Sequence, residues 1–134
     1  MKKFFTTAVI LLTVIAFNGC SETEKDELIK DRIAALQSAI NSHSYTAYMG
    51  CFDDNSSMQD SYTSGNFDTD YPSSNMYTFS SNVVIAGNTA YVISTKSDTG
   101  ATEYDNTFVM AESDDEYYIN TWTEDSTTIF FKKK

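Results

Sequence analysis

Cys51 stands in the stretch YTAYMGCFDDNSS (45–57), with Asp53 and Asp54 close behind it and Tyr45, Tyr48 and Phe52 around it. A thiol and adjacent carboxylates are the raw material of nucleophilic and acid–base chemistry. To act as a nucleophile, however, Cys51 needs its pKa lowered by a nearby cation or a helix N-terminus. The pattern places it near a helix C-terminus with two carboxylates following, which opposes the thiolate. His43, the single histidine, falls in the turn before that helix. Cys51 is therefore read as a small buried hydrophobe. The same run begins like a calcium loop, with Asp53, Asn55 and Ser57 at alternate positions, and Asn66, Asp68 and Asp70 repeat the pattern. The sixth positions are Met58 and Tyr71 where such a loop needs Gly, and the twelfth are Ser64 and Tyr77 where it needs Glu. Both runs are read as turns, and neither a metal nor a cofactor is expected. Asp60 and Asp105 interrupt strand-like patterns beside aromatics, and an apolar pocket would raise their pKa toward useful acid–base chemistry. Alternation says which residues share a face but not which face is inside. No catalytic set is assigned.

The segment 24–41 carries Ile29, Ile33, Leu36 and Ile40 at spacings of four, three and four, one face of a helix. Ser21 followed by Glu24 is a capping signal at its start. Ser44 can cap a second, shorter helix over 45–52, on which Tyr45, Tyr48, Met49 and Phe52 share a face, and Asp53-Asp54-Asn55 ends it. Beyond residue 56 the chain reads as strand and turn. SSMQDSY (56–62) alternates as a strand would, and TSGNFDTDYPSSN (63–75) is read as a loop holding the only proline, Pro72. Five strand-like segments follow, with Gly87-Asn88, 98–100 and Asp114-Asp115 separating the first four at hairpin lengths. The fold class expected is α+β: two N-terminal helices packed on a mostly antiparallel sheet of five to six strands.

The 134-residue chain is 41% hydrophobic and 14% aromatic, enough for one core. Its net charge is −10, so a phosphate backbone would be repelled and nucleic acid is excluded as a partner. The first residues, MKKFFTTAVILLTVIAFNGC, run from two lysines through a short apolar stretch to small residues, the form of an export signal and too short to span a bilayer. Phe17-Asn18-Gly19-Cys20 resembles the bacterial lipobox, in which the cysteine is acylated and becomes the new N-terminus. That resemblance implies a signal peptide over 1–19, lipid attachment at Cys20, an acidic tether over 20–27 and a single α+β domain over 28–134. It makes the membrane a partner through N-terminal acyl chains, which anchor stably when two or more are present. Ser21 stands where an inner-membrane retention signal would place Asp, so the expected address is the cell envelope at the outer membrane, facing the periplasm or the surface. With Cys20 acylated, Cys51 has no intramolecular disulfide partner.

Three stretches, HSYTAYMGCFDDNS, VVIAGNTAYV and AESDDEYYINTW, resemble in their order along the chain the nuclear transport factor two-like superfamily, which includes the SnoaL-like polyketide cyclases. The resemblance implies a cone-shaped fold whose concave sheet face and helices enclose a pocket. Tyr62, Asn106, Asn120 and Trp122 are then the expected ligand-binding residues, because rings with a few amide groups suit a small, mostly apolar ligand. The functional expectation is a binding or interaction module for such a ligand or for an envelope protein. Two alternatives stand beside it: a SnoaL-like isomerase or hydrolase using a pocket carboxylate with tyrosine partners, and a structural accessory of an envelope assembly, marked by an exposed apolar sheet patch.

Overall fold

The computed structural model describes residues 21–56, 58–97, 102–125 and 127–130, with the backbone alone at 58, 60 and 127–130. The leader, Cys20, the 98–100 turn and the terminal lysines lie outside the described residues. Helix α1 (Glu22–Asn41) starts at Ser21, whose hydroxyl accepts the Glu24 N–H at 3.3 Å, and Glu22 and Glu24 lie in its first turn, where the helix dipole favours acid. Ile29, Ile33, Leu36 and Ile40 are all buried along it, as their spacing requires. Most of the acidic stretch expected as a tether is thus taken up as the start of a helix. Helix α2 (Tyr45–Met49) is capped by Ser44 through the Ala47 N–H and buries Tyr48 completely.

Two readings of the next segment are corrected. The stretch expected as a strand forms a short helix, α3 (Met58–Ser61). The edge it would have needed is occupied: Asp53 donates its N–H to the Ile119 carbonyl and Ile119 donates to the Cys51 carbonyl, so Phe52 forms a parallel bridge beside Ile119. The expected loop holds helix α4 (Ser64–Asp70), entered through a reciprocal capping box between Thr63 and Asn66 and pinned by the fully buried Phe67.

The remaining elements are β1 (Tyr77–Phe79), β2 (Val84–Ala86), β3 (Thr89–Lys96), β4 (Glu103–Ser113), β5 (Glu116–Glu124) and β6 (Thr127–Phe130). They form one antiparallel sheet in the order β1-β3-β4-β5-β6, with β2 pairing the other half of β3. Gly87, at φ 60°, makes the β2–β3 turn, and Asp114 and Asp115, at φ 53° and 62°, make the β4–β5 turn, the left-handed pair a two-residue hairpin demands. The outer edge of β1 is satisfied by α1: Asn41 exchanges two 2.8 Å hydrogen bonds with the Tyr77 backbone, and Gln37 accepts the Phe79 N–H at 2.6 Å.

The β4–β5 register shifts between Val109 and Met110, a bulge opposite Asn120. Before it, Tyr117 and Ile119 point into the core; after it, Trp122 does. The bulge therefore reverses the inward phase of the strand, and with it the side on which Glu124 lies. Arg32 fastens α1 to this sheet. Its guanidinium donates to the Tyr117 carbonyl at 2.7 Å, the Gly50 carbonyl at 3.2 Å and Glu116 at 2.8 Å, and it stacks 4.3 Å from the Tyr118 ring.

Candidate functional site

The concave face of the sheet is packed with rings. Trp122, wholly buried, lies 5.2 Å from Phe108, 6.1 Å from Phe79, 6.2 Å from Tyr77 and 6.5 Å from a parallel Tyr71, measured between centroids. Tyr71 continues the cluster to Phe67 and Tyr48 beneath the helices. The space a ligand would need is filled by these side chains. Beside the cluster lies a cavity of about 30 Å³ bounded by Ile40, Asp70, Tyr71, Asn75, Tyr77 and Lys96, room for roughly one water molecule. Larger hollows of about 280–290 Å³ are open grooves, one between α1 and the start of β5 at Leu28, Arg32 and Tyr117 and another between α1 and Phe79.

A chain of polar groups crosses this apolar interior in one direction. The Trp122 indole N–H donates to Asn106 Oδ1 at 2.8 Å, and Asn106 Nδ2 donates to Ser94 Oγ at 2.8 Å and to the Tyr104 carbonyl at 3.0 Å. Ser94 donates to the Tyr77 hydroxyl at 3.4 Å, and Tyr77 donates to Glu124 Oε2. Lys96 Nζ closes the series on Glu124 Oε1 while lying 4.3 Å from the Tyr104 ring. Strands β3, β4 and β5, together with β1, supply every member, because Tyr77 is registered opposite Lys96 and Asn106 opposite both Val92 and Glu124. Buried donors of this kind are retained only when each finds an acceptor. Burial and then the carboxylate of Glu124 push the Tyr77 hydroxyl pKa well above its usual value, so the phenol is held as a donor.

Of the four residues expected to bind a ligand, two meet and two do not. Asn106 and Trp122 are neighbours in the buried chain. Tyr62 lies outside it, donating its hydroxyl to Asp70 Oδ2 at 2.7 Å with its ring 5.8 Å from Tyr48. Asn120 sits at the bulge and donates to Asp53 Oδ2 at 3.2 Å, tying the turn after Cys51 to β5.

The carboxylates suspected of chemistry are placed elsewhere. Asp105 is exposed, its backbone N–H bonded to Asp125 Oδ1 at 2.9 Å, so it faces outward. The side chain of Asp60 lies outside the described residues. The carboxylate that does enter the sheet's inner side is Glu124, only 11% exposed. Strict alternation from Tyr117 would have turned it outward, and the bulge is the signal that sequence periodicity lacks. Cys51 is buried and donates its thiol to the Ala47 carbonyl at 3.4 Å; burial, opposed by Arg32, raises its pKa. His43 pairs with Asp68 at 3.0 Å and packs on Phe67, not with the thiol. The second calcium-like run is helical: Asn66 belongs to the capping box and Asp70 accepts from Tyr62. Residues two apart on a helix point to opposite sides. Among the described residues, no group of three or more His, Cys, Asp or Glu side chains is gathered for a metal.

The opposite, outer face of the sheet is different in kind. Val84, Tyr91, Ile93 and Val109 are between 41% and 65% exposed on it. Val84 pairs with Tyr91, Tyr91 with Thr107 and Thr107 with Thr123, while Thr89 pairs with Val109 and Val109 with Thr121. Apolar and threonine side chains therefore form two rows, while Ile93 lies opposite the exposed Asp105, where the face becomes acidic.

No protein-family model matches this sequence, and no curated protein matches it. Among solved structures, the chain is similar to an NTF2-like protein of unknown function from Shewanella baltica OS155, with a TM-score of 0.52 over 79% of this chain and 96% of that one. The two sequences are 10% identical, so the likeness is one of fold. The architecture is that of an NTF2-like α+β cone, with helices on one face of a curled antiparallel sheet.

Proposed function

We propose that this chain is an envelope lipoprotein, anchored by acyl chains on Cys20, whose NTF2-like domain works as an interaction module for another envelope protein. The observation that carries the reading is the filled interior: Trp122, Phe108, Tyr71 and Tyr77 occupy the cone and leave about 30 Å³. A substrate or apolar ligand of ordinary size would need an enclosed space roughly ten times larger, and the hollows of about 280–290 Å³ are open surface grooves instead. With the interior closed, the outer face bearing Val84, Tyr91, Ile93 and Val109, apolar at its centre and edged by Asp105 beside Ile93, is the surface best suited to contact. The leader, ending in Gly19-Cys20, supports the anchor and the envelope address, since a charged start and short apolar run direct export.

One observation favours the enzymatic alternative: Glu124, held by the cavity-lining Tyr77 and Lys96, is a largely buried carboxylate hydrogen-bonded to a tyrosine, the pairing a SnoaL-like isomerase would use. Against it, Tyr77 engages one oxygen of Glu124 and Lys96 the other, and the adjoining cavity holds no more than a water. A general base must reach the proton it removes. The proposal is tested with a photo-crosslinking residue at Tyr91 in living cells. A discrete protein adduct is expected at Tyr91, absent when the residue is placed at Lys30 on α1 and lost with Cys20→Ala. No adduct at Tyr91, together with a small molecule recovered from the cone, contradicts it.

A further inference from the structure

Helix α1 is one continuous element from Glu22 to Asn41, and Ser21, the residue after the proposed anchor, is its hydrogen-bonded N-cap. Ser21 to Glu24 are exposed, whereas Lys25 and Asp26 are half-buried and Leu28 packs against the core, so the first turn, about 5 Å, projects from the domain as a short stalk. The direction of α1 across the sheet is given by its contacts. Arg32 meets Glu116 and the Tyr117 carbonyl at the start of β5, beside the Asp114-Asp115 hairpin tip, and Asn41 meets Tyr77 beside Lys96 at the other end. The stalk therefore emerges at the hairpin-tip end, and the Tyr77–Glu124–Lys96 mouth lies the length of β5 away, about 26 Å.

Resting on the lipid anchor proposed above, we infer that α1 is both core helix and stalk, holding the domain upright on the bilayer with the mouth pointing away and the outer sheet face standing perpendicular to the membrane. A flexible tether would leave the orientation free; a helix whose cap is the residue after the anchor narrows that freedom by keeping the helix start close to the bilayer. Charge acts in the same sense. Glu27 is paired with Lys30, while Glu22, Glu24 and Asp26, with Lys25 the one cation among them, lie at the same end of the domain as Asp114 and Asp115 of the hairpin tip. Anionic headgroups repel them within about 10 Å, the Debye length at 0.1 M salt, which opposes the domain lying down. An upright domain presents Tyr91 and its neighbours sideways, where a partner protein in the same envelope layer would meet them.

The test uses the full chain, exported and purified as the lipoprotein, in vesicles of phosphatidylethanolamine and phosphatidylglycerol carrying a headgroup-bound quencher. A fluorophore is placed by Asp115→Cys or Ser74→Cys; Cys51 is buried and stays native, with the unsubstituted chain as the labelling control. Quenching about threefold stronger at position 115 than at 74 is expected from the separation along β5, and a flexible Gly-Ser insert between Ser21 and Glu22 should bring the two together. Equal quenching in a sample whose mass shows acylated Cys20 overturns the orientation and leaves the anchor standing. Absence of the acyl mass overturns both.

Discussion

Glu124 receives a phenol on one oxygen and an ammonium on the other, in a position only 11% exposed, and Lys96 beside it is 27% exposed. Glu124→Gln keeps the shape but removes the negative charge that Tyr77 and Lys96 address, and is expected to cost about 1–3 kcal/mol in urea denaturation. The tyrosines set a limit on the alkaline side. Burial raises the hydroxyl pKa of Tyr48, Tyr71 and Tyr77 above the ordinary value of 10.0. The folded chain therefore keeps these protons where the unfolded chain releases them. Their contribution to stability is complete below pH 10 and falls as pH rises beyond it. The share of tyrosinate absorbance that belongs to these three rings should accordingly appear only with unfolding; ionisation of all the tyrosines while the fold persists would contradict this. At this scale the residue types were legible and their roles only partly so. Cys51 reads as inert from its neighbours, whereas the functional weight of Glu124 depends on a bulge that no local pattern announces.

Arg32 joins three elements, since its donors reach the Gly50 carbonyl after α2, the Tyr117 carbonyl on β5 and the Glu116 carboxylate. A lysine carries the charge but not the planar fork, so Arg32→Lys is expected to destabilise the domain by about 1–3 kcal/mol and Arg32→Ala by more, measured by chemical denaturation. Helix α4 depends on its entry: Thr63→Ala removes the acceptor for the Asn66 N–H and should cost about 1 kcal/mol. Local hydrogen exchange should rise in 64–70 while α1 keeps its protection. Helix α1 was legible because Ile29, Ile33, Leu36 and Ile40 repeat at helical spacing over about three turns. Helix α4 was not, because seven residues rich in Gly, Asn, Asp and Thr read as turn formers, and only the Thr63-x-x-Asn66 spacing signalled a helix start. The stretch containing α3 alternates like a strand; whether it becomes one depends on a free sheet edge, and Phe52 had taken it.

For the molecule as a whole, order along the chain carried the fold: a long amphipathic helix, a short aromatic one and a meander turning at Gly87 and at Asp114-Asp115 led to the α+β cone. Whether that cone is hollow was not legible, since ring content is the same whether rings line a pocket or fill it. Here they fill it, and the interaction reading follows from that packing. Trp122 is the only tryptophan and sits at the centre of the filled space, so its fluorescence reports on the claim directly. A closed, dry interior is expected to give blue-shifted emission, resistant to acrylamide and unchanged when bound small molecules are extracted by denaturation and refolding. Red-shifted emission readily quenched by acrylamide, or a native spectrum that only a co-purified compound restores, would contradict the account.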